Sequence, residues 1–282
     1  MNSLTAIKFG LNAAAAVSPS LAGKLAFPLF VRTGARAKVR PPEQAVHDAA
    51  DAERMRVDGK ELAVYRWGDS DRRVLLMHGF DSRASSWAAL VPGILELGMS
   101  AVAFDSFGHG DSEGDRSTIV DTASAARAVA AKYGPFRAVV AHSFGGLCAY
   151  HALRTGVPAD RLVTIGAVCD FGYLPVLFTG RLGLGGKVAD DLRRRSEQYF
   201  APEEDIWNRF SATYRADEAK WPLLVIHDDK DKEIHVSQGR KIAETYPRAE
   251  FLETSGLGHR RILGDGEVVA RTLEFIARGE TG

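Results

Sequence analysis

The run Ala138-Val139-Val140-Ala141-His142-Ser143-Phe144-Gly145-Gly146 sets a serine among small residues at the end of a short apolar stretch. Leu147-Cys148-Ala149-Tyr150-His151-Ala152-Leu153 follows, a segment containing good helix formers. The pattern spells strand, sharp turn, helix, with Ser143 at the turn. Backbone strain at such a turn lifts the hydroxyl clear of the sheet, where it can attack a carbonyl. Side chains two positions to either side would collide with the adjoining strand and helix, and Ala141 and Gly145 are small enough. A serine hydroxyl needs an imidazole to take its proton and a carboxylate to hold that imidazole. Among eight histidines, only His259 sits in a glycine-flanked loop (Ser255-Gly256-Leu257-Gly258-His259) just before a final helical stretch, residues 267–278. Three aspartates, Asp228, Asp229 and Asp231, follow the apolar run 223–226 and compete for the carboxylate role. The short serine pattern also fits an ordinary strand-to-helix loop, so its weight comes from these companions.

Two further motifs precede the serine: His78-Gly79-Phe80, and Asp105-Ser106-Phe107-Gly108-His109-Gly110-Asp111-Ser112. With them the chain resembles the α/β-hydrolase superfamily, in its serine-nucleophile esterase and lipase-like branch, over roughly residues 55 to 278. The resemblance implies a mostly parallel central sheet with helices on both faces and a small helical cap between the core halves. It implies the order Ser143 nucleophile, Asp231 acid and His259 base, because the acid stands four residues after the position of His227. Asp229 is the runner-up, while Asp228 and Ala141 stand where glycine is usual. It also implies an oxyanion hole from the backbone N–H groups of Phe80 and Phe144. Where relatives often carry more glycine, this chain has Asp81-Ser82. A carboxylate there opposes the charge developing in the hole unless Asp81 turns away or pairs with Arg83. The 105–112 loop reads as structural, with glycines free to take positive φ and His109 as part of the loop, not a catalyst.

The elements that must position these groups follow from patterning. Residues 53–57 and 61–67 alternate in part around Asp58-Gly59, a hairpin signal. Continuous apolar runs at 74–77, 101–104, 162–165 and 223–226 read as strands buried on both faces, and 250–253 as another short strand. Helical spacing marks 86–97, ended by Gly98, and alanine-rich 118–132. Residues 170–219 hold no clear buried strand and read as the cap. Its apolar and aromatic side chains suit either a substrate pocket or the cap's own small core, and Arg193-Arg194-Arg195 reads as a solvated helix face. The chain therefore divides into an extension at 1–50, a first core part at 51–169, the cap at 170–219 and a second core part at 220–282.

The extension is apolar over residues 4–31, broken by Lys8, Pro19, Lys24 and Pro28, so no run reaches the roughly 18 to 20 residues of a spanning helix. Two short helices, packed on the domain or touching a membrane surface through residues 1–40, suit it better than a signal peptide. Arg32 to Pro42 reads as a basic linker.

The chain has 36 basic and 36 acidic residues and a pI near 7.1, which gives no reason to expect a nucleic-acid partner. Cys148 and Cys169 read as buried free thiols in a cytoplasmic protein. No clustered metal spacing or phosphate-cradling loop appears, so no cofactor is expected. The expected function is hydrolysis of a small-molecule carboxylic ester or thioester with an apolar acyl group, through an acyl-enzyme on Ser143. The alternatives are a carbon–carbon bond hydrolase or cofactor-free perhydrolase using the same triad, or a non-catalytic binding module of this fold.

Overall fold

The computed structural model describes residues 3–279, so the first two and last three residues of the expected segments lie outside the described residues. One eight-stranded sheet carries the chain, in the order β1-β2-β4-β3-β5-β6-β7-β8. β1 (Asp51–Val57) and β2 (Lys60–Trp67) form the expected hairpin, and Asp58 and Gly59 at its tip both take positive φ. β2 then pairs antiparallel with β4 (Ser100–Phe104). The other strands run parallel: β3 (Arg73–Met77), β5 (Phe136–His142), β6 (Leu162–Ile165), β7 (Leu223–Asp228) and β8 (Ala249–Thr254). Every residue of β4, β6 and β7 is buried, as their unbroken apolar runs require of strands covered on both faces.

Helices account for the rest. α1 (Ser3–Val17) and α2 (Pro19–Val31) form the N-terminal pair, and α3 (Gln44–Asp48) is a single short turn. α4 (Val91–Glu96) is shorter than the helix expected from residue 86. A tight turn over Ala84–Trp87 precedes it, and Pro92, which lacks an N–H donor, suits only the first turn of a helix. α5 (Ile119–Tyr133) starts on a capping box between Thr118 and Asp121. α6 (Phe144–Arg154) follows the serine turn, and α7 (Tyr173–Leu182), α8 (Gly186–Phe200) and α9 (Ile206–Arg209) occupy the segment between β6 and β7. α10 (Ser237–Thr245), α11 (Gly258–Arg261) and α12 (Gly266–Ala277) complete the chain, the last capped by the Asp265 carboxylate.

Two apolar cores sandwich the sheet, one holding Phe104, Leu147 and Tyr150, the other Trp87, Ile94 and Phe275. A third, smaller core joins the N-terminal pair to the α7–α8 region through Leu11, Ala22, Ala26, Val188 and Leu192. The approach of α2 to α8 depends on Gly23, where a Cβ would lie 2.0 Å from an Asp191 carboxylate oxygen. That carboxylate is buried and takes the guanidinium groups of Arg194 and Arg195, while Arg193 stacks 4.2 Å over the Trp207 ring. Arg193 and Arg195 are thus half-buried and engaged within the protein, while Arg194 keeps the solvent-exposed position its charge run suggests.

Residues 32–42 also depart from a loose linker. Thr33 N–H bonds the Asp115 carbonyl at 2.9 Å, and the Arg36 guanidinium reaches the carbonyls of Gly110 at 2.7 Å and Gly114 at 2.8 Å. This stretch straps the N-terminal pair to the 105–116 loop. None of the described helices is long and apolar enough to cross a membrane.

Candidate active site

The residues picked out by chemistry converge where the parallel strands end, the position at which open α/β sheets form their crevices. Ser143 follows the last residue of the central strand β5 and takes φ 55° and ψ −125°, a strained conformation for a residue with a side chain. The turn is held by Ser143 N–H to the Ile165 carbonyl at 3.0 Å and by Gly146 N–H to the Ser143 carbonyl at 3.0 Å. Gly145 is required here: a Cβ would stand 2.2 Å from the His78 carbonyl oxygen and 2.7 Å from that of Met77. This contact draws the start of α6 onto the end of β3. Gly79 answers from the other side, since its Cβ would sit 2.7 Å from that of Ser143.

His259 Nε2 lies 2.9 Å from Ser143 Oγ, and its Nδ1 lies 2.6 Å from Asp231 Oδ2. All three side chains are buried, each residue 7% exposed. The second Asp231 oxygen accepts the backbone N–H groups of Glu233 at 2.8 Å and Ile234 at 2.9 Å. Burial works to raise the Asp231 pKa, but hydrogen bonds from His227 and His259 outweigh it and hold the carboxyl well below its usual range. It is therefore ionised at neutral pH and able to steady an imidazolium.

The other two aspartates are occupied elsewhere. Asp228 accepts the N–H groups of Leu257 and Gly258, each at 2.9 Å, and the Thr254 hydroxyl at 2.9 Å. Asp229 pairs with Lys230 at 3.0 Å. Neither is bonded to the imidazole.

The rings of Phe80 and Phe144 meet nearly perpendicular, 6.0 Å apart. Among the described residues, neither N–H has a protein acceptor. Both N–H groups are therefore free to donate. Asp81 takes φ 53° and its carboxylate accepts the Gly34 N–H at 3.2 Å. Arg83 does not pair with it, reaching Asp111 at 2.6 Å and Asp105 at 3.4 Å instead. The Asp81 carboxylate is thus tied to the N-terminal strap, while Asp81 itself still lines the cleft that holds Ser143.

The neighbouring histidines are structural. His109 accepts the Asp81 N–H through Nε2 at 3.2 Å and donates from Nδ1 to the Phe107 carbonyl at 3.1 Å. Burial, then the nearby His78, push its pKa down to about 3, so it stays neutral and fixes the loop after Phe80. His78 accepts the Ser106 N–H at 2.9 Å. His142 donates from Nε2 to the His259 carbonyl at 2.9 Å and is likewise held to about 3, by burial and then by His259 itself. His227 approaches Asp231 from behind at 3.5 Å. The roles of His142, His227 and Asp228 carry no sequence signal beyond their nearness to the motifs.

A cleft of about 630 Å³ opens above Ser143 and His259. Leu174, Leu177 and Phe178 of α7 line one side, with Phe171 and Phe200. Phe171 also stacks on Trp207, and both Phe171 and Phe200 meet Phe210 edge-on, so the apolar content of this segment serves cleft and local core at once. Leu29, Phe30 and Val31 of α2 supply a further part of the wall, with Lys8 and Arg32 nearby. That contribution from the first helices is absent from the sequence reading, which looked to residues 170–219 alone. Two smaller clefts, about 500 and 460 Å³, lie around Trp221 and Tyr246 at the other end of the strands, away from Ser143.

Known proteins share this architecture. An esterase of Mycobacterium tuberculosis, Rv0045c, is 32% identical over 125 residues, covering 43% of this chain and 40% of its own. The chain thus matches about two fifths of the length of that curated relative. The Pyrococcus furiosus esterase Pf2001 superposes with a TM-score of 0.65 at 18% identity, over 87% of this chain and 97% of its own. A meta-cleavage product hydrolase from Pseudomonas fluorescens superposes with a TM-score of 0.57 at 17% identity, over 80% and 96%. At those identities the two structures speak to the fold. The sequence profile of the alpha/beta hydrolase family matches residues 74–272, a stretch that begins in β3 and ends within α12. The chain belongs to the alpha/beta hydrolase family.

Proposed function

We propose that the protein is a serine hydrolase that cleaves small carboxylic esters of apolar acyl groups, with Ser143, Asp231 and His259 as its catalytic residues. The observation that carries this reading is the unbroken line from the Asp231 carboxylate through both nitrogens of His259 to Ser143 Oγ, at 2.6 and 2.9 Å. Ser143 Oγ attacks the ester carbonyl carbon while its proton passes to His259 Nε2. The carbonyl oxygen, now negative, is held by the N–H groups of Phe80 and Phe144. Collapse expels the alcohol, which takes the proton from His259, and leaves the acyl group on Ser143. Water then attacks that acyl-enzyme with His259 again as base, and the carboxylic acid departs. Asp231 keeps its negative charge throughout and steadies the imidazolium.

The apolar side chains lining the cleft favour an acyl chain over a polar group. In this reading residues 170–219 act as a cap and the N-terminal helices complete its wall. The two buried, unpaired cysteines suit a cytoplasmic setting. The chemistry is tested by labelling with a fluorophosphonate and mapping the adduct, alongside turnover of p-nitrophenyl esters. One adduct per chain on Ser143 together with turnover supports the reading. A folded protein that neither labels nor turns over is a binding module of this fold.

A further inference from the structure

Helix α2 is apolar on two sides for different reasons. Its inner side is made of small residues, Ala22, Gly23 and Ala26, buried against α8. Its outer side carries Leu21, Leu25 and Leu29, exposed by 42, 50 and 37%. Four-residue spacing puts these leucines on one line along the helix. Single exposed leucines are ordinary on any protein surface, but a continuous exposed line marks a contact face. Helix α1 adds Phe9 and Val17, exposed by 73 and 80%, the most open large apolar side chains among the described residues.

Three further observations identify the occupant. At thirteen residues, α2 is about 20 Å long, short of the ~30 Å of a hydrocarbon core, so it can lie on a bilayer but not cross it. Residues 1–42 contain no Asp or Glu. Arg32, Arg36 and Arg40 are engaged with Asp115, the 110–114 carbonyls and Glu43, while Lys8, Lys24 and Lys38 have no acidic partner among the described residues. Such a surface suits negatively charged headgroups, and it would repel a second copy of itself. Leu29, at the end of the exposed line, also forms part of the wall of the cleft that holds Ser143 and His259.

We propose that α1 and α2 dock flat on an anionic lipid surface, so that acyl esters pass from the bilayer into the cleft alongside Leu29. Delivery rests on the ester-hydrolase reading; docking does not. The test is co-sedimentation of the full chain carrying Ser143→Ala with vesicles of phosphatidylcholine alone or mixed with phosphatidylglycerol. The protein partitions onto the mixed vesicles at least ~tenfold more strongly than onto the neutral ones, and added salt weakens it. Leu21→Asp with Leu25→Asp lowers that partitioning by ~tenfold or more, with an unchanged thermal melt because both side chains already face water. Lys8→Glu with Lys24→Glu abolishes the preference for anionic vesicles.

Absence of partitioning onto either vesicle, or partitioning that the leucine pair leaves unchanged, overturns the proposal. So does a concentration-dependent dimer that the leucine substitutions dissociate, which would give the face to a second copy. Vesicle binding by a chain that hydrolyses no ester would sustain the docking and overturn the ester-hydrolase reading alone.

Discussion

The Asp228 carboxylate accepts the backbone N–H of Gly258 at 2.9 Å and thereby fixes the residue immediately before His259. Three positions on, Asp231 holds the imidazole ring itself at 2.6 Å. One carboxylate sets the loop and the other sets the ring. Asp231→Asn should lower kcat by about 10⁴ with KM little changed, because the amide stabilises the wrong imidazole tautomer. Asp228→Ala should lower both stability and kcat, since it strands two half-buried N–H groups, each at a cost of at most about 1–3 kcal/mol, and the loop loses its anchor. Asp229→Asn should leave both near the parent. Steady-state kinetics on a p-nitrophenyl ester, with urea unfolding of each variant, separates the three.

The α2 wall makes a second expectation. Phe30 faces the cleft and meets Phe178 of α7 with rings 5.3 Å apart. Phe30→Ala should open that end of the cleft and move the preferred p-nitrophenyl ester toward longer acyl chains. A chain-length series on both proteins reads this directly, and an unmoved optimum would remove α2 from substrate selection.

Stability should fall on mild acidification. His109 and His142 are held neutral in the fold at about 3, against an ordinary 6.5, by burial first of all. A folded-state pKa depressed below the unfolded one means that the unfolded chain binds the extra protons. Stability is then intact above about pH 6.5 and is lost as pH falls from there toward 3. On an order-of-magnitude basis the loss reaches about 2 kcal/mol per histidine near pH 5. Asp231, whose pKa is also lowered, adds its own loss only below the ordinary carboxylate range. Chemical denaturation at pH 7 and pH 5 checks the slope, which His142→Gln should make shallower.

Much of this arrangement is legible in the residues because it depends on local chemistry. Unbroken apolar runs predict β3, β4, β6 and β7, since a strand buried on both faces tolerates little else. Ser143 and His259, which lie 2.9 Å apart, are marked by small residues that their turns require. What the sequence hides is pairing between distant segments. Nothing in Leu29-Phe30-Val31 says that it faces Ser143, and nothing in Arg36 says that loop carbonyls will hold it. Gly239 gives α10 a poor helical signature, yet its missing Cβ is what lets the helix pack on the His227 ring, 2.5 Å from where that atom would stand.

Gly145 carries a prediction of its own. Gly145→Ala would drive a Cβ into two backbone carbonyls, at 2.2 and 2.7 Å, neither of which can swing aside. The variant should lose several kcal/mol of stability, on the scale of overpacking or worse, and lose ester turnover before it unfolds because Ser143 shifts first. Thermal melts and kinetics at a temperature where the fold persists test the order.

The claim on which the functional account stands is that Ser143 Oγ is the attacking atom. The most direct measurement compares p-nitrophenyl ester hydrolysis by the parent and by Ser143→Ala across acyl chain lengths. The account predicts that the parent turns over apolar esters and that kcat falls on the order of 10⁶ in the variant, at unchanged fold. Hydrolysis that survives the loss of the Ser143 hydroxyl at a comparable rate would contradict it.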